Sequence, residues 1–414
     1  MNILFEILIF TLFGCSLGVL TGLIPGLHIN TVSVLLITAL PFFSSFQFIS
    51  IASGIIAMAV VHSFLDFIPS ILLGAPNEDT VMSVLPGHRM LLDGEAIEAI
   101  KLTGAGSLFS LLLTSGLFLV LISIIPTIYS GIEQMLPFIL IFFVLIGLFF
   151  EKKPIIAFLI FLLSGFFGFL LFNSFLSVEA IFPALSGMFG ISTLLLSLKN
   201  EVFIPVQEDI GMSLKFRKIF KNSVLGGLAG MLVGLFPGIG SAQAAYMVQQ
   251  ASRKSSSKEF LVAVSGVNTS NIIIPLVVMY SIQKMRSGII IAINKVIGSF
   301  SFGELVILLG VILISGSIAT FLHFKIGIKM ARKLSDMDME NYRRFTILII
   351  CFIALTVFLL TGVYGLGILV LGTLIGLIPP LIGVRRAECM GFFIFPVVLC
   401  YIGISVPFLI LLFG

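Results

Sequence analysis

The sequence predicts an all-α polytopic membrane protein of about 10–12 transmembrane or re-entrant helices, built as two inverted-topology repeats with Pro-Gly broken helices. Three observations predict it. Hydrophobic residues make up 59% of the 414 and charged residues only 10%, whereas a soluble domain carries roughly 25% charged residues. The apolar residues lie in long continuous runs, and the mean hydropathy is +1.23. A glycine-rich phrase ending in Pro-Gly occurs twice, once near the start and once past the midpoint.

The apolar runs fall at 3–24, 27–48, 49–74, 102–130, 134–150, 154–177 and 179–198, then at 222–250, 261–282, 288–322, 345–361, 363–382 and 390–413. None alternates with the two-residue period of a membrane barrel strand, so helices are the spanning elements. Polar connections fall at 86–101, 199–221, 251–259, 323–344 and 384–388. The longest, 199–221, carries Lys199, Lys215, Arg217, Lys218 and Lys221. It divides the chain into a first transmembrane repeat, 1–198, a basic central loop, 199–221, and a second transmembrane repeat, 222–414.

The two halves share a register. GCSLGVLTGLIPGL at 14–27 lies on GGLAGMLVGLFPGI at 226–239 with a shift of 212. Gly14, Gly18, Gly22 and Gly26 then meet Gly226, Gly230, Gly234 and Gly238, and Pro25 meets Pro237. A weaker pairing lays VHSFLDFIP at 61–69 on VNTSNIIIP at 267–275, with a shift of 206. Glycines four apart share one helix face and let a neighbouring backbone approach closely. Each Pro-Gly then ends its helix, because proline removes a donor and clashes with the preceding turn. Broken backbone within a bilayer survives only where protein buries it or it lines a cavity. Paired breaks in matching places of two halves point to a transporter's binding site.

Orientation follows from charge. The first repeat opens with MNILFE, which has no Lys or Arg, and the second follows Lys215, Arg217, Lys218 and Lys221. The positive-inside rule puts the first start outside and the second inside, which is the inverted arrangement. The first run is too long for a signal-peptide core and reads as a retained helix. The expected location is the cell membrane, multi-pass. Cys15, Cys351, Cys389 and Cys400 lie in or beside apolar runs without metal spacing, and read as small apolar residues.

Three stretches carry a family resemblance: GVLTGLIPGLHINTVSVLL at 18–36, PSILLGAPNEDTVMSVLPGHRMLLDGEAIEAIKLTGAG at 69–106, and GMLVGLFPGIGSAQAAYMVQQASRKSSSKEF at 230–260. They resemble the large membrane subunit of tripartite tricarboxylate transporters, the TctA type, and the two-half plan agrees over most of the chain. The resemblance implies a permease working with a small membrane subunit and an extracytoplasmic binding protein. The chain departs from the family pattern at Leu27, His28, Ile29 and Asn30, where a polar, glycine-rich segment is usual. It departs again in SGVNTSNIIIPLVVMYSIQKMRSG, which lacks the family's Ala-Pro-Glu and Gly-Ile-Pro-Gly motifs.

Ionisable groups inside apolar runs are costly and mark candidate sites. His62 and Asp66 share a helix face at i, i+4 and form the candidate coupling-ion pair, since histidine titrates near neutrality. A structural helix–helix lock is the other reading of that pair. Asp66 is expected to face a polar cavity near the broken tips. His28, Asn30 and Thr31 follow the first Pro-Gly, and Ser241 and Gln243 follow the second. At the start of a half-helix they would meet an anion or cap the helix. Asn268, Thr269, Ser270 and Asn271 form an uncharged patch suited to substrate or to interhelical hydrogen bonds. The substrate-binding set is thus Pro25, Gly26, His28, Asn30, Thr31, Pro237, Gly238, Ser241, Gln243, Asn268, Thr269 and Asn271. Asn77, Glu78 and Asp79 read as a solvated loop or a gate, and Glu304 as a span end or an ion partner. Lys325, Lys329, Arg332, Lys333, Arg343 and Arg344 read as a cytoplasmic loop against anionic lipid.

No enzyme constellation, phosphate-binding Gly-Lys loop, His/Cys metal cluster or nucleic-acid patch emerges, and no cofactor is expected. The sequence thus predicts a secondary transporter for small organic anions, carboxylates among them, coupled to a proton or cation. Its partners would be the anionic substrate and membrane lipid. A polyprenyl-phosphate or other lipid-carrier flippase would need the same anion-binding tips plus a lateral opening. A non-transporting scaffold would have a sealed interior.

Overall fold

The computed structural model describes residues 3–25, 45–75, 79–174, 180–199, 204–209, 211–235, 240–252, 255–285, 287–336 and 339–404. Among them every regular element is a helix, and eight helices are long and apolar enough to cross a membrane.

Helix α1 (Ile3–Leu23) is followed by α2 (Phe48–Leu65) and the short α3 (Phe67–Leu72). The amphipathic α4 (Val84–Leu92) leads into α5 (Ala96–Gly116) and α6 (Phe118–Phe149). Next comes α7 (Pro154–Phe172), which starts on its proline, where the missing N–H costs nothing. In α8, Ile181–Leu185 passes through a π-helical turn at Ser186–Ile191 into Ser192–Lys199. The second half has α9 (Phe216–Leu235), α10 (Ser241–Ala251), α11 (Ser257–Ile282), α12 (Gly288–Ile297) and α13 (Phe302–Ser335). It ends with α14 (Met339–Ile382), kinked at Gly362, and α15 (Gly391–Tyr401).

The glycine ladders are packing faces. A β-carbon at Gly14, Gly18 or Gly22 would strike Gly54, Met58 or Leu65 of α2; one at Gly226, Gly230 or Gly234 would strike Ala263, Val267 or Ile274 of α11. The equivalent partners lie 209 residues apart at every rung. This corrects the 206 shift of the weaker sequence pairing. By that offset His62 is the counterpart of Asn271 in the other half, and Asp66 the counterpart of Pro275.

A second set of glycines couples the halves crosswise. Gly168 of α7 lies on the carbonyl of Phe392 in α15, and Gly376 of α14 lies on that of Met188 in α8. Gly391 meets the Phe161 carbonyl as Gly187 meets the Leu369 carbonyl. Each contact has a counterpart with the halves exchanged.

Direction follows from the same contacts. Helix α1 runs parallel to α2, and α9 parallel to α11, since each ladder climbs both partners in step. The chain leaving α2 through α3 reaches α4, where Gly87 packs on Ile71. There α4 and the start of α11 wall one cavity, shared by His88, Leu92, Ser257 and Phe260. So the chain continuing from α2 through α3 runs toward the face where α11 begins, and the two ladder pairs point in opposite directions.

Several predicted loops are helical. The basic residues Arg217, Lys218 and Lys221 sit in the first turns of α9, and Lys325, Lys329, Arg332 and Lys333 in the last turns of α13. Lys and Arg are good helix formers, so the helices run on past the apolar span. The run at 288–322 is two helices, because Gly298 takes φ 75° after α12 and Ser301 caps α13. Glu304 completes that cap, its Oε2 accepting from the Ser301 N–H at 2.7 Å, and is a span-start residue.

Candidate transport site

One helix end and one helix interruption converge. Helix α1 stops at Leu23, two residues before Pro25. A residue preceding proline is pushed out of the α region, which ends α1 at this spacing. Gly26, His28, Asn30, Thr31, Pro237 and Gly238 lie outside the described residues.

The interruption is at Asp66, between α2 and α3, where the backbone stays in the helical region and the Asp66 N–H still bonds to the His62 carbonyl at 3.0 Å. Pro69 lacks the N–H that would continue the helical ladder, and its ring crowds the turn before it. Asp66 is wholly buried, at 0% exposure. Its Oδ2 accepts a hydrogen bond from Asn268 Nδ2 at 3.0 Å, and its Oδ1 has no partner. The same amide of Asn268 also reaches the Ser63 carbonyl at 3.3 Å. His62 Nε2 stands 3.8 Å from Oδ2, an ion-pair distance rather than a hydrogen bond.

The end of α1 lies against this pair, since Gly22 packs on the backbone of His62. On α11, one turn beyond Asn268, Asn271 Nδ2 donates to Ser241 Oγ at 3.1 Å, at the first residue of α10. A continuous set of contacts therefore joins the end of α1, the His62–Asp66 interruption, the polar turn of α11 and the start of α10. Gln243 caps α10, its Oε1 accepting from the Gly240 N–H at 2.9 Å. Thr269 bonds back to the Ser265 carbonyl at 3.2 Å within its own helix. Among the described residues no cluster of His, Cys, Asp and Glu could hold a metal ion.

A charged layer closes one face, built from the polar connections 86–101, 199–221 and 251–259 that the sequence predicts. Lys258, at the start of α11, binds Glu95 at 2.9 Å and Glu98 at 2.7 Å. Glu98 is 2% exposed and also accepts from the Ser213 N–H and hydroxyl, each at 2.6 Å. Gln207 strands the central loop across the start of α5, accepting from the Ala96 N–H at 2.7 Å and donating to the Leu91 carbonyl at 2.9 Å. Lys101 binds Asp209, which also faces Arg332 at 3.6 Å. Lys101 therefore holds the Asp209 carboxyl below the usual carboxylate range. Basic residues dominate this face. The sequence signal was available in Glu95 and Glu98, each within one turn of a helix start.

No solved structure matches the chain. It is similar to the uncharacterized protein MJ1079 of Methanocaldococcus jannaschii, with 29% identity over 413 residues, covering 95% of this chain and 99% of that one. The description of the tripartite tricarboxylate transporter TctA family matches residues 8–391. Together with the eight membrane-length helices, that match places the chain as a multi-pass membrane component of a transport system, and it belongs to the tripartite tricarboxylate transporter TctA family.

Proposed function

We propose that this chain is a secondary permease for small organic anions, carboxylates in particular, in which residues 1–198 and 222–414 act as inverted repeats around the central segment 199–221. The anion is held between the two Pro-Gly tips, with Ser241 and Asn271 among its ligands. Asp66, beside His62, carries the coupling proton or cation at Oδ1. A small membrane subunit and an extracytoplasmic binding protein, as in the family, complete the system.

The observation that carries the reading is the Asn268–Asp66 hydrogen bond. It joins a carboxylate at a helix interruption in one half to the polar turn of the other half, and leaves Oδ1 buried without a hydrogen-bond partner. An ionised carboxylate so enclosed is costly unless it gains a partner. Proton or cation uptake at Oδ1 would supply one, and its release would bias the two halves apart.

The test is uptake into proteoliposomes of the purified full chain, with and without an imposed proton or sodium gradient. A panel of radiolabelled mono-, di- and tricarboxylates is offered, with the binding protein added where the system needs it. Gradient-stimulated accumulation of at least one anion is expected. Accumulation of none, with a correctly folded protein, contradicts the reading.

A further inference from the structure

We propose that the cytoplasmic cavity between α4, the start of α11 and the turn after α14 binds a small carboxylate or phosphate anion, with the buried Arg386 as its counter-charge. The cavity measures about 590 Å³, within the range of roughly 300–1,000 Å³ typical of small-molecule sites. It is walled by His88, Arg89 and Thr193 from the first half and by Ser255, Ser257 and Arg385 from the second.

Four features give it this chemistry. Arg386 is 4% exposed, and its Nη1 donates to the hydroxyl of Thr193, a wall residue. Its Nε has no partner, and among the described residues no carboxylate pairs with it, because Glu151 and Glu388 both pair with Arg385. A guanidinium buried without a counter-charge is an unbalanced arrangement that an anion would complete. Second, α11 is 26 residues long and begins at Ser257, so the positive end of its dipole opens on the cavity. Third, His88 is 2% exposed, bonded through Nδ1 to the Ile71 carbonyl at 3.2 Å, and its Nε2 has no partner. Fourth, the carbonyl oxygen Oε1 of Gln249, another wall residue, is buried without a partner. The last two are sites for a hydroxyl or a protonated oxygen of the bound molecule.

Asp66 is not among the residues that line this cavity. The cavity's place between the halves on the basic face makes it a docking station where the transported anion leaves or enters on the cytoplasmic side. That role rests on the transport reading; the binding itself does not.

The test uses the purified full chain in detergent. Its thermal midpoint is titrated with succinate, citrate and inorganic phosphate, against chloride at matched ionic strength. A saturable upward shift with at least one of them is expected, and comparison of the arms separates carboxylate from phosphate. Ser255→Glu, which puts a negative charge in the cavity, should remove the part of the shift that this cavity contributes, leaving at most that of the tips, and Arg386→Gln should weaken its apparent affinity at least tenfold. Asp66→Asn should leave the shift intact. If Arg386→Gln does not fold, Ser255→Glu decides alone. The proposal is overturned if no anion gives a saturable shift or if Ser255→Glu binds like the wild type. It is also overturned if Asp66→Asn, and not Ser255→Glu, removes the shift. A protein with the expected binding pattern but no gradient-driven uptake would sink the transport reading and leave this site standing.

Discussion

Asn268 donates its side-chain amide to Asp66 Oδ2 at 3.0 Å, across 202 residues of sequence and from one half of the chain to the other. Both partners are buried, at 2% and 0% exposure. This bond ties the helix interruption of α2–α3 to the polar turn of α11.

Removing that donor has a defined consequence. Asn268→Ala leaves Asp66 without its amide partner and the Ser63 carbonyl without its side-chain donor, and should cost about 1–3 kcal/mol. Thermal or denaturant unfolding in detergent measures it. The double variant Asp66→Ala/Asn268→Ala should be less destabilised than the sum of the single variants, because the pair acts as a unit. Strict additivity would mean the two side chains do not interact.

The glycine ladders predict a position-dependent effect of one methyl group. Gly18→Ala and Gly230→Ala place a β-carbon against the backbone of Met58 and Val267. Each should destabilise by about 1–3 kcal/mol, since overpacking forces the helices apart. Gly310→Ala, which meets open space in α13, should be neutral or stabilising by up to about 1 kcal/mol through helix propensity. Equal effects at all three sites would refute the packing account.

Much of this was legible in the sequence. The ladders announced themselves because close helix packing leaves no chemical choice but glycine at each rung, and the helix end before Pro25 followed from proline's geometry. Asp66 stood out as a carboxylate in an apolar run. Its partner did not, because no local rule pairs a residue with Asn268 in the other half. The charged layer was also hidden. Lys258 and Glu98 resemble solvated loop charges until folding stacks the start of α11 against the start of α5. Hydropathy marks where an apolar run stops, not where a helix stops, and so the last turns of α13 read as loop.

The charged layer itself can be tested by unpairing Glu98. Lys258→Met removes the cation from a carboxylate that is 2% exposed and leaves it only the donors of Ser213. A stability loss of roughly 1–3 kcal/mol is expected, with faster hydrogen exchange over 204–213. Lys218→Met, at a pair with a 59% exposed lysine, should cost under about 1 kcal/mol. Indistinguishable variants would mean that the layer does not hold this face closed.

Acid should loosen the strap over α5 at Asp209. Its carboxyl is held low by Lys101, so the contact is fully present above the ordinary Asp range of about 3.9 and is lost as pH falls through the lower folded-state value. Protease cleavage within 204–213 should therefore rise only at strongly acidic pH in the wild type. Asp209→Asn should show the same cleavage at neutral pH. A variant as resistant as the wild type at neutral pH would show that the Lys101–Asp209 contact does not fasten the segment.

The central claim is that Asp66 couples ion movement to anion movement. The most direct measurement compares gradient-driven uptake with anion-for-anion exchange, on one preparation of Asp66→Asn in proteoliposomes. The amide preserves size and can still bond to Asn268, but it cannot take up and release a proton or balance a cation. Accumulation against a gradient should fall to background while exchange stays within a few-fold of the wild type. Normal gradient-driven accumulation by Asp66→Asn would contradict the coupling role outright. Parallel loss of uptake, exchange and thermal stability would reduce Asp66 to a structural lock between the two halves.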